Sequence, residues 1–145
     1  MKEKYSFDEI EIGMEMGPLE LDVSPEAVEE HRNWTRWEVE GEDNPAKALP
    51  GIFLINHVRL LTATLGGAGN RIWAKSQHEF FNPIRGGSKL VKRGKIIEKY
   101  LKRGKQYLIY EIETRDQDGT LIMRSRETSF FGESSEGSQI EHEGR

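Results

Sequence analysis

The residues best suited to acid–base chemistry lie in and just before an apolar segment in the middle of the chain. Glu42 and Asp43 are adjacent carboxylates in a polar stretch from Glu38 to Leu49, and His57 lies in the apolar segment. Carboxyl and imidazole groups can move protons near neutral pH. Loop acids and a hydrogen-bonded helical histidine are the ordinary alternatives. We take Glu42, Asp43 and His57 as the candidate catalytic residues.

The apolar segment from Ile52 to Leu65 is predicted to form the central helix of the chain. Its stripe residues recur with helical spacing, at Leu54, Val58, Leu61 and Leu65. Further apolar residues lie on its other faces, which is typical of a helix enclosed by protein. Pro50 suits the start of a helix, and the following glycines suit its end. Gly51 leaves backbone N–H groups of the first turn uncovered, and these can hold a carbonyl oxygen or an anion.

The remaining patterns predict one helix before the central helix and an antiparallel sheet after it. Ser24 is a suitable N-cap for a helix that begins at Pro25 and runs to about Trp37, with Val28, His31, Trp34 and Thr35 facing inward. The predicted strands are Leu19–Val23, Ile72–Phe81, Leu90–Leu101, Tyr107–Thr114 and Thr120–Phe131. Lys102-Arg103-Gly104-Lys105 and Asp118-Gly119 are the predicted turns of the last two hairpins, and Leu108, Tyr110 and Ile112 are expected on one face of their strand. This order indicates an α+β fold in which a curved antiparallel sheet wraps around the central apolar helix. Residues 1–131 are expected to form a single domain, followed by a disordered acidic, Ser- and Gly-rich tail over 132–145.

The composition excludes several kinds of site. The 145 residues contain no cysteine, which excludes a thiol nucleophile, a disulfide and a thiolate metal site. No grouping of His, Asp and Glu has the spacing of a metal site, and no nucleotide-binding motif is present, so we expect neither metal nor cofactor. No apolar run reaches about 18 residues and no apolar leader is visible, so a cytoplasmic protein without a membrane span is expected.

Charge is distributed unevenly along the chain. Residues 1–43 contain fourteen Asp and Glu against four Lys and Arg, whereas residues 85–105 contain nine Lys and Arg and one acidic residue, Glu98. The basic segment is either the solvated face of a hairpin or a patch for a phosphorylated ligand or an acidic carrier protein. In the second case Lys92 and Arg93 are expected to contribute to ligand binding. Nucleic acid is disfavoured as a partner, because the acidic half opposes it and no binding motif is present.

Short motifs along the chain together resemble those of a known family. They are Phe7-Asp8-Glu9-Ile10-Glu11-Ile12-Gly13, Gly41-Glu42-Asp43-Asn44-Pro45, Ala48-Leu49-Pro50-Gly51-Ile52, Phe80-Phe81-Asn82-Pro83-Ile84-Arg85-Gly86-Gly87 and Gln117-Asp118-Gly119. The first four are similar to the patterns Y/F-x-D-L-x-V-G, G-D-x-N-P, I-A-H-G-M and R-F-x-x-P-V-x-x-G-D, and the fifth to a common last hairpin turn. These patterns belong to the MaoC-like acyl-thioester dehydratase/hydratase family of the hotdog fold.

The resemblance implies a dimer that adds water to, or removes it from, a 2-enoyl/3-hydroxyacyl thioester of coenzyme A or a carrier protein. In the family an Asp–His pair holds the water and moves the proton. Backbone N–H groups at the start of the central helix polarise the thioester carbonyl. On this basis the substrate-binding candidates are Asn44, Pro50, Gly51, Ile52 and Asn56.

The chain departs from the family pattern where the catalytic pair is expected. Glu42 matches the family aspartate, but Asn44-Pro45 runs directly into Ala46-Lys47-Ala48, so the segment that carries the family histidine is missing. Related hotdog enzymes have a catalytic acid near the position of Asn56, and asparagine cannot act as a base. His57 is therefore the best remaining proton carrier.

Two kinds of function are compatible with these residues. The first is an (R)-3-hydroxyacyl/2-enoyl thioester dehydratase or hydratase that uses Glu42 or Asp43 together with His57. The second is a non-catalytic hotdog subunit that binds acyl groups or completes a heterodimer with a catalytically competent partner. The missing histidine segment favours the second, and the usual activity of the family favours the first.

Overall fold

The computed structural model describes residues 5–36, 47–48, 56–66 and 71–133. Its helical elements are a 3-10 turn at Phe7–Glu9 and two α-helices, α1 at Pro25–Thr35 and α2 at Asn56–Leu65. Its strands are β1 at Glu15–Asp22, β2 at Lys47–Ala48, β3 at Ile72–Phe80, β4 at Ile84–Arg85, β5 at Lys89–Lys102, β6 at Lys105–Asp116 and β7 at Leu121–Glu133. Within these ranges, no helix is both long and apolar enough to cross a membrane.

Five strands form one antiparallel sheet in the order β1-β5-β6-β7-β3, and the short strands β2 and β4 pair separately. The β5–β6 hairpin turns at Arg103 and Gly104, whose φ angles of 53° and 74° match the twist of the two strands. At the β6–β7 connection the Asp116 carboxylate accepts hydrogen bonds from the backbone N–H groups of Asp118 and Thr120. Both predicted turns therefore form, and they fix the register of the meander.

Helix α2 packs on one face of this sheet. Its buried residues are His57, Leu60, Leu61 and Leu65. The leucines join an apolar cluster with residues of β5 and β6, which include Ile96, Leu108, Tyr110 and Ile112. A second cluster joins Val28 of α1 to Ile84, Leu90, Ile122 and Met123. The predicted α+β fold, with an antiparallel sheet packed around the central helix, is confirmed.

The exposed faces of the two helices differ from the sequence prediction. On α1, Val28 is buried as predicted, but the Trp34 side chain is 80% exposed and Thr35 is also exposed. On α2, Val58 is 48% exposed, so the buried stripe follows His57 and the leucines rather than the predicted Val58. Within the described chain α2 therefore has one uncovered face and is not enclosed on all sides.

Strand β1 is longer than its apolar alternation indicates. It begins at Glu15 instead of Leu19 and includes Pro18. A proline removes a backbone donor, and it is tolerated here because β1 lies at the edge of the sheet and its register shifts between Met16 and Leu19. Gly17 has a φ of 87°, and a Cβ there would lie 2.7 Å from the Lys92 carbonyl oxygen. The edge position of β1 thus explains why Pro18 is tolerated, and the close approach of the Lys92 carbonyl oxygen explains why residue 17 is a glycine.

Candidate functional site

Most of the predicted site residues lie outside the described residues. These are Glu42, Asp43, Asn44, Pro50, Gly51 and Ile52. Asn56 begins α2, but only its backbone is described. His57, in the first turn of the described helix, is the one candidate whose surroundings are defined. The site is therefore built outward from His57.

His57 forms a buried pair with a glutamate on β7. The distance from His57 Nδ1 to Glu127 Oε1 is 2.8 Å, and both side chains are fully buried. The other ring nitrogen of His57, Nε2, is also buried and has no hydrogen-bond partner among the described residues. A carboxylate on Nδ1 places the imidazole proton on that atom and leaves the lone pair on Nε2. His57 is thus held in the tautomer that can accept a proton through Nε2.

Strand β3 supports this pair from the edge of the sheet. The Trp73 indole Nε1–H donates to Glu127 Oε2 over 2.8 Å, so both carboxylate oxygens have a donor. Further along β3, His78 Nδ1 shares a 2.8 Å hydrogen bond with Ser125 Oγ. Its ring lies 6.0 Å from the His57 ring, measured between centroids. The β3–β7 register places His78 directly opposite Ser125.

Two further polar side chains are buried on the same sheet without hydrogen-bond partners. Lys92 Nζ on β5 and Thr114 Oγ1 on β6 are both buried and unsatisfied among the described residues. The two residues are directly opposite each other in the β5–β6 ladder. By contrast, the Tyr110 hydroxyl is paired with Ser129 Oγ at 2.9 Å. Unsatisfied buried polar groups are rare in stable interiors, so this region is distinct from an ordinary core.

The electrostatics favour a neutral imidazole beside an ionised carboxylate. Burial lowers the pKa of His57, and the hydrogen bond that His57 donates to Glu127 only partly opposes that effect. Burial would raise the pKa of Glu127, but the hydrogen bonds from His57 and Trp73 hold it below its ordinary value. Burial also lowers the pKa of Lys92 to about 8, although the Glu127 charge works against this. The buried charges near neutral pH are therefore one carboxylate and one ammonium that titrates close to that range.

Sequence reasoning missed Glu127 and the inward position of Lys92, although a signal for both was present. Arg124 and Arg126 lie two residues apart on the outer face of β7, so period-two alternation puts Glu127 on the inner face with Met123. Lys92 alternates in the same way with Arg93 on β5. Because Lys92 is fully buried and Arg93 is exposed, they face opposite sides of the sheet. They therefore do not form one surface patch, and their contribution to ligand binding stays a prediction.

Sequence spacing also gave no indication of a metal site. His57 and Glu127 are 70 positions apart, and His78 lies between them. The fold nevertheless places a possible ligand atom of His57, His78 and Glu127 within 4.8 Å of one another. This group shares no local sequence motif, because its members come from three different elements.

The chain is similar to known proteins in structure, although no sequence match was found. No protein-family model matches the chain, and no curated protein matches it in sequence. The monoamine oxidase regulatory protein of Archaeoglobus fulgidus has a TM-score of 0.74 at 14% identity, over 90% of this chain and 96% of that one. The HadBC 3R-hydroxyacyl-ACP dehydratase complex of Mycobacterium tuberculosis has a TM-score of 0.66 at 18% identity, over 82% and 96%. The MaoC-like dehydratase of Rhodospirillum rubrum has a TM-score of 0.65 at 17% identity, over 86% and 95%.

The chain has the hotdog fold. The resemblance to MaoC-like proteins inferred from the motifs is confirmed at the level of the fold, since a MaoC-like dehydratase structure superposes over 86% of the chain. Because the sequence identities to these structures are only 14–18%, the structural likeness establishes the fold and no specific activity. The chemistry has to be argued from the residues of this chain.

Proposed function

We propose that this hotdog protein acts on or binds acyl thioesters, most specifically as an (R)-3-hydroxyacyl/2-enoyl thioester hydratase or dehydratase. The supporting observation is the buried His57–Glu127 pair, in which Nδ1 is held by a carboxylate and Nε2 has no partner in the part of the chain that the structure describes. The hotdog likeness to a MaoC-like dehydratase adds to this. No cofactor is needed for the reaction as proposed.

In the hydration direction, His57 Nε2 takes a proton from water while the water oxygen forms a bond to the substrate Cβ. The C=C electron pair moves towards the thioester carbonyl, and an acid then delivers a proton to Cα. Glu127 keeps the imidazole in the required tautomer and stabilises the imidazolium that forms. Glu42 or Asp43 is proposed as the acid, and the Gly51 N–H as a donor to the developing enolate oxygen.

The burial of His57 sets a condition on this mechanism. Its side chain is fully buried in the described chain. A substrate therefore reaches Nε2 only if side chains around His57 move, and its binding must supply the free energy of that movement.

The test is hydration of crotonyl-CoA by the purified full chain. His57→Gln is expected to lower kcat/KM by about 10²- to 10⁴-fold, because it removes the proton carrier. Glu127→Gln is expected to lower it as well, since an amide can hold the wrong tautomer of His57. Glu42→Gln combined with Asp43→Asn tests the proposed acid.

The matched control is His31→Gln on α1, which removes a half-buried imidazole away from the pair. Circular dichroism and thermal unfolding confirm that each variant remains folded. A folded His57→Gln protein with wild-type turnover would contradict the proposed catalytic role.

The second candidate is a non-catalytic subunit that binds acyl groups or completes a heterodimer with a competent hotdog partner. The exposed edge of the sheet favours it. Strand β3 is an edge strand, and its Ile72, Trp73 and Phe80 side chains are 62%, 43% and 55% exposed. An apolar edge of this kind is suited to pairing with another chain. The fold is also similar to that of the HadBC complex.

The same assay separates the two candidates. A catalytic homomer turns over crotonyl-CoA by itself, and His57→Gln abolishes that activity. A non-catalytic subunit shows no turnover alone, but turnover arises when it is co-expressed with a second hotdog subunit that carries the Asp–His pair. In that complex His57→Gln leaves turnover unchanged.

A further inference from the structure

Two imidazoles and a carboxylate meet beneath the start of α2. His57 comes from α2, His78 from β3 and Glu127 from β7. One potential ligand atom from each lies within 4.8 Å of those of the other two. His57 and Glu127 are fully buried and His78 is half-buried, so the group is shielded from competing water. Nitrogen and carboxylate oxygen are the ligands of Zn²⁺ and related divalent transition metals.

The hydrogen bonds around the group resemble the outer contacts of a metal site. His78 Nδ1 is engaged by Ser125 Oγ, and the second oxygen of Glu127 accepts from Trp73 Nε1. Outer contacts of this kind orient metal-binding side chains. A metal bound to His57 Nδ1 would replace the proton that this nitrogen shares with Glu127 Oε1.

We infer that His57, His78 and Glu127 form a binding site for a divalent transition metal such as Zn²⁺. Ligand atoms around a tetrahedral zinc lie about 3.3 Å apart. That spacing falls between the 2.8 Å His57–Glu127 hydrogen bond and the 4.8 Å limit of the group, so small side-chain movements suffice. The inference goes beyond the proposed function, since it concerns metal binding and needs no thioester. A bound metal would occupy His57 and therefore oppose its action as a proton carrier.

Removing the charge of Lys92 tests the inference, because it should strengthen metal binding. Its buried ammonium has no hydrogen-bond partner among the described residues, and its charge acts on both His57 and Glu127. A positive charge in the same interior repels a divalent cation. Replacing it with a neutral side chain of similar length should therefore strengthen metal binding. A purely structural role of the three-residue group predicts no such gain.

The experiment uses the metal-free full chain without a histidine tag, titrated with Co²⁺ and followed by visible absorption. One Co²⁺ per chain is expected, with the absorption bands of a low-coordinate nitrogen–oxygen site, and Zn²⁺ should displace it. His78→Gln is expected to weaken Co²⁺ binding by about tenfold or more, because it removes one ligand. Lys92→Met is expected to strengthen binding severalfold.

The matched control is the double variant His31→Gln/His142→Gln, which removes the two histidines outside the group and should leave Co²⁺ affinity unchanged. Thermal unfolding of each variant without metal checks that it is folded. If His78→Gln does not fold, the Co²⁺ affinities of the wild type and Lys92→Met are compared instead to test the inference. Equal Co²⁺ affinities in the wild type and Lys92→Met, or loss of binding in the control, would overturn the inference. Because the readout is metal binding, its failure is distinguishable from failure of the hydratase proposal.

Discussion

The two ends of α2 rest on different parts of the same sheet. Towards its C-terminus, Leu61 and Leu65 pack into an apolar cluster with Ile96, Leu108 and Ile112. At its start, His57 pairs with Glu127, and the same sheet also buries the polar side chains of Ser125 and Lys92. One end satisfies the ordinary demand for dry, complementary packing. The other contains charged and unsatisfied groups that cost stability, which is the usual sign that a region serves binding or chemistry.

The largest effect is expected at the apolar end. Leu65 is fully buried in the core cluster, and Leu65→Ala removes three carbon atoms from it. The expected loss is about 2–5 kcal/mol in the free energy of unfolding, as for other buried leucines. Urea denaturation monitored by circular dichroism measures it. The exposed Val58→Ala on the same helix is the control, and it should cost far less. Equal losses in both variants would contradict the burial assigned to these residues.

At the polar end, Lys92→Met is expected to increase the free energy of unfolding, by an amount between the other two effects. The pKa of Lys92 is lowered from 10.5 to about 8 by burial, so the unfolded chain binds this proton more tightly than the folded one. Below pH 8 the folded state carries the full penalty, about 3 kcal/mol, and stability is recovered as the pH rises from about 8 to 10.5. Lys92→Met should therefore be more stable than the wild type at pH 7.

The pH dependence distinguishes this cause from a simple packing gain. The stability difference between Lys92→Met and the wild type should shrink as the pH approaches 10.5, measured by urea denaturation at pH 7 and pH 10. Exposed Lys95→Met on the same strand is the control and should show no such change. A variant that is less stable at pH 7, or a difference independent of pH, would refute the role given to the Lys92 charge.

The smallest effect is expected at Tyr110, which lies between the two ends. Its ring belongs to the apolar cluster, while its hydroxyl pairs with Ser129 Oγ at 2.9 Å. Burial is the main cause that raises its pKa, so the hydroxyl stays protonated. Tyr110→Phe keeps the ring and leaves Ser129 unpaired, so a loss of about 1 kcal/mol is expected in urea denaturation. Adding Ser129→Ala should recover most of that loss, and a further decrease would argue against the pairing.

Much of the fold was predictable because it depends on local periodicity and turn chemistry. Alternation in Tyr107–Thr114 correctly placed Leu108, Tyr110 and Ile112 on the buried face. The predicted turns at Arg103-Gly104 and Asp118-Gly119 both join the strands they were assigned to. The errors fall where burial depends on what covers a surface. Trp34 and Val58 are apolar and correctly placed on helices, yet no described residue buries them.

The candidate site could be predicted only in part. The sequence identified His57 as a proton carrier from its residue type and its place on the central helix. It could not identify Glu127 as its partner, because the two residues are 70 positions apart and periodicity gives the face of an element without saying what lies opposite. The roles of Glu42, Asp43, Asn44, Gly51 and their neighbours stay predictions, since those residues lie outside the described ranges.

The sequence by itself therefore determined the strands, their turns, the central helix and the resemblance to the hotdog fold. These features follow from residues that are close in the chain, where steric and hydrogen-bonding preferences act directly. Only the tertiary structure decided that His57, Glu127, His78 and Lys92 share one interior. That outcome depends on strand register and on the packing of α2 across the sheet, which bring together side chains from four separate elements.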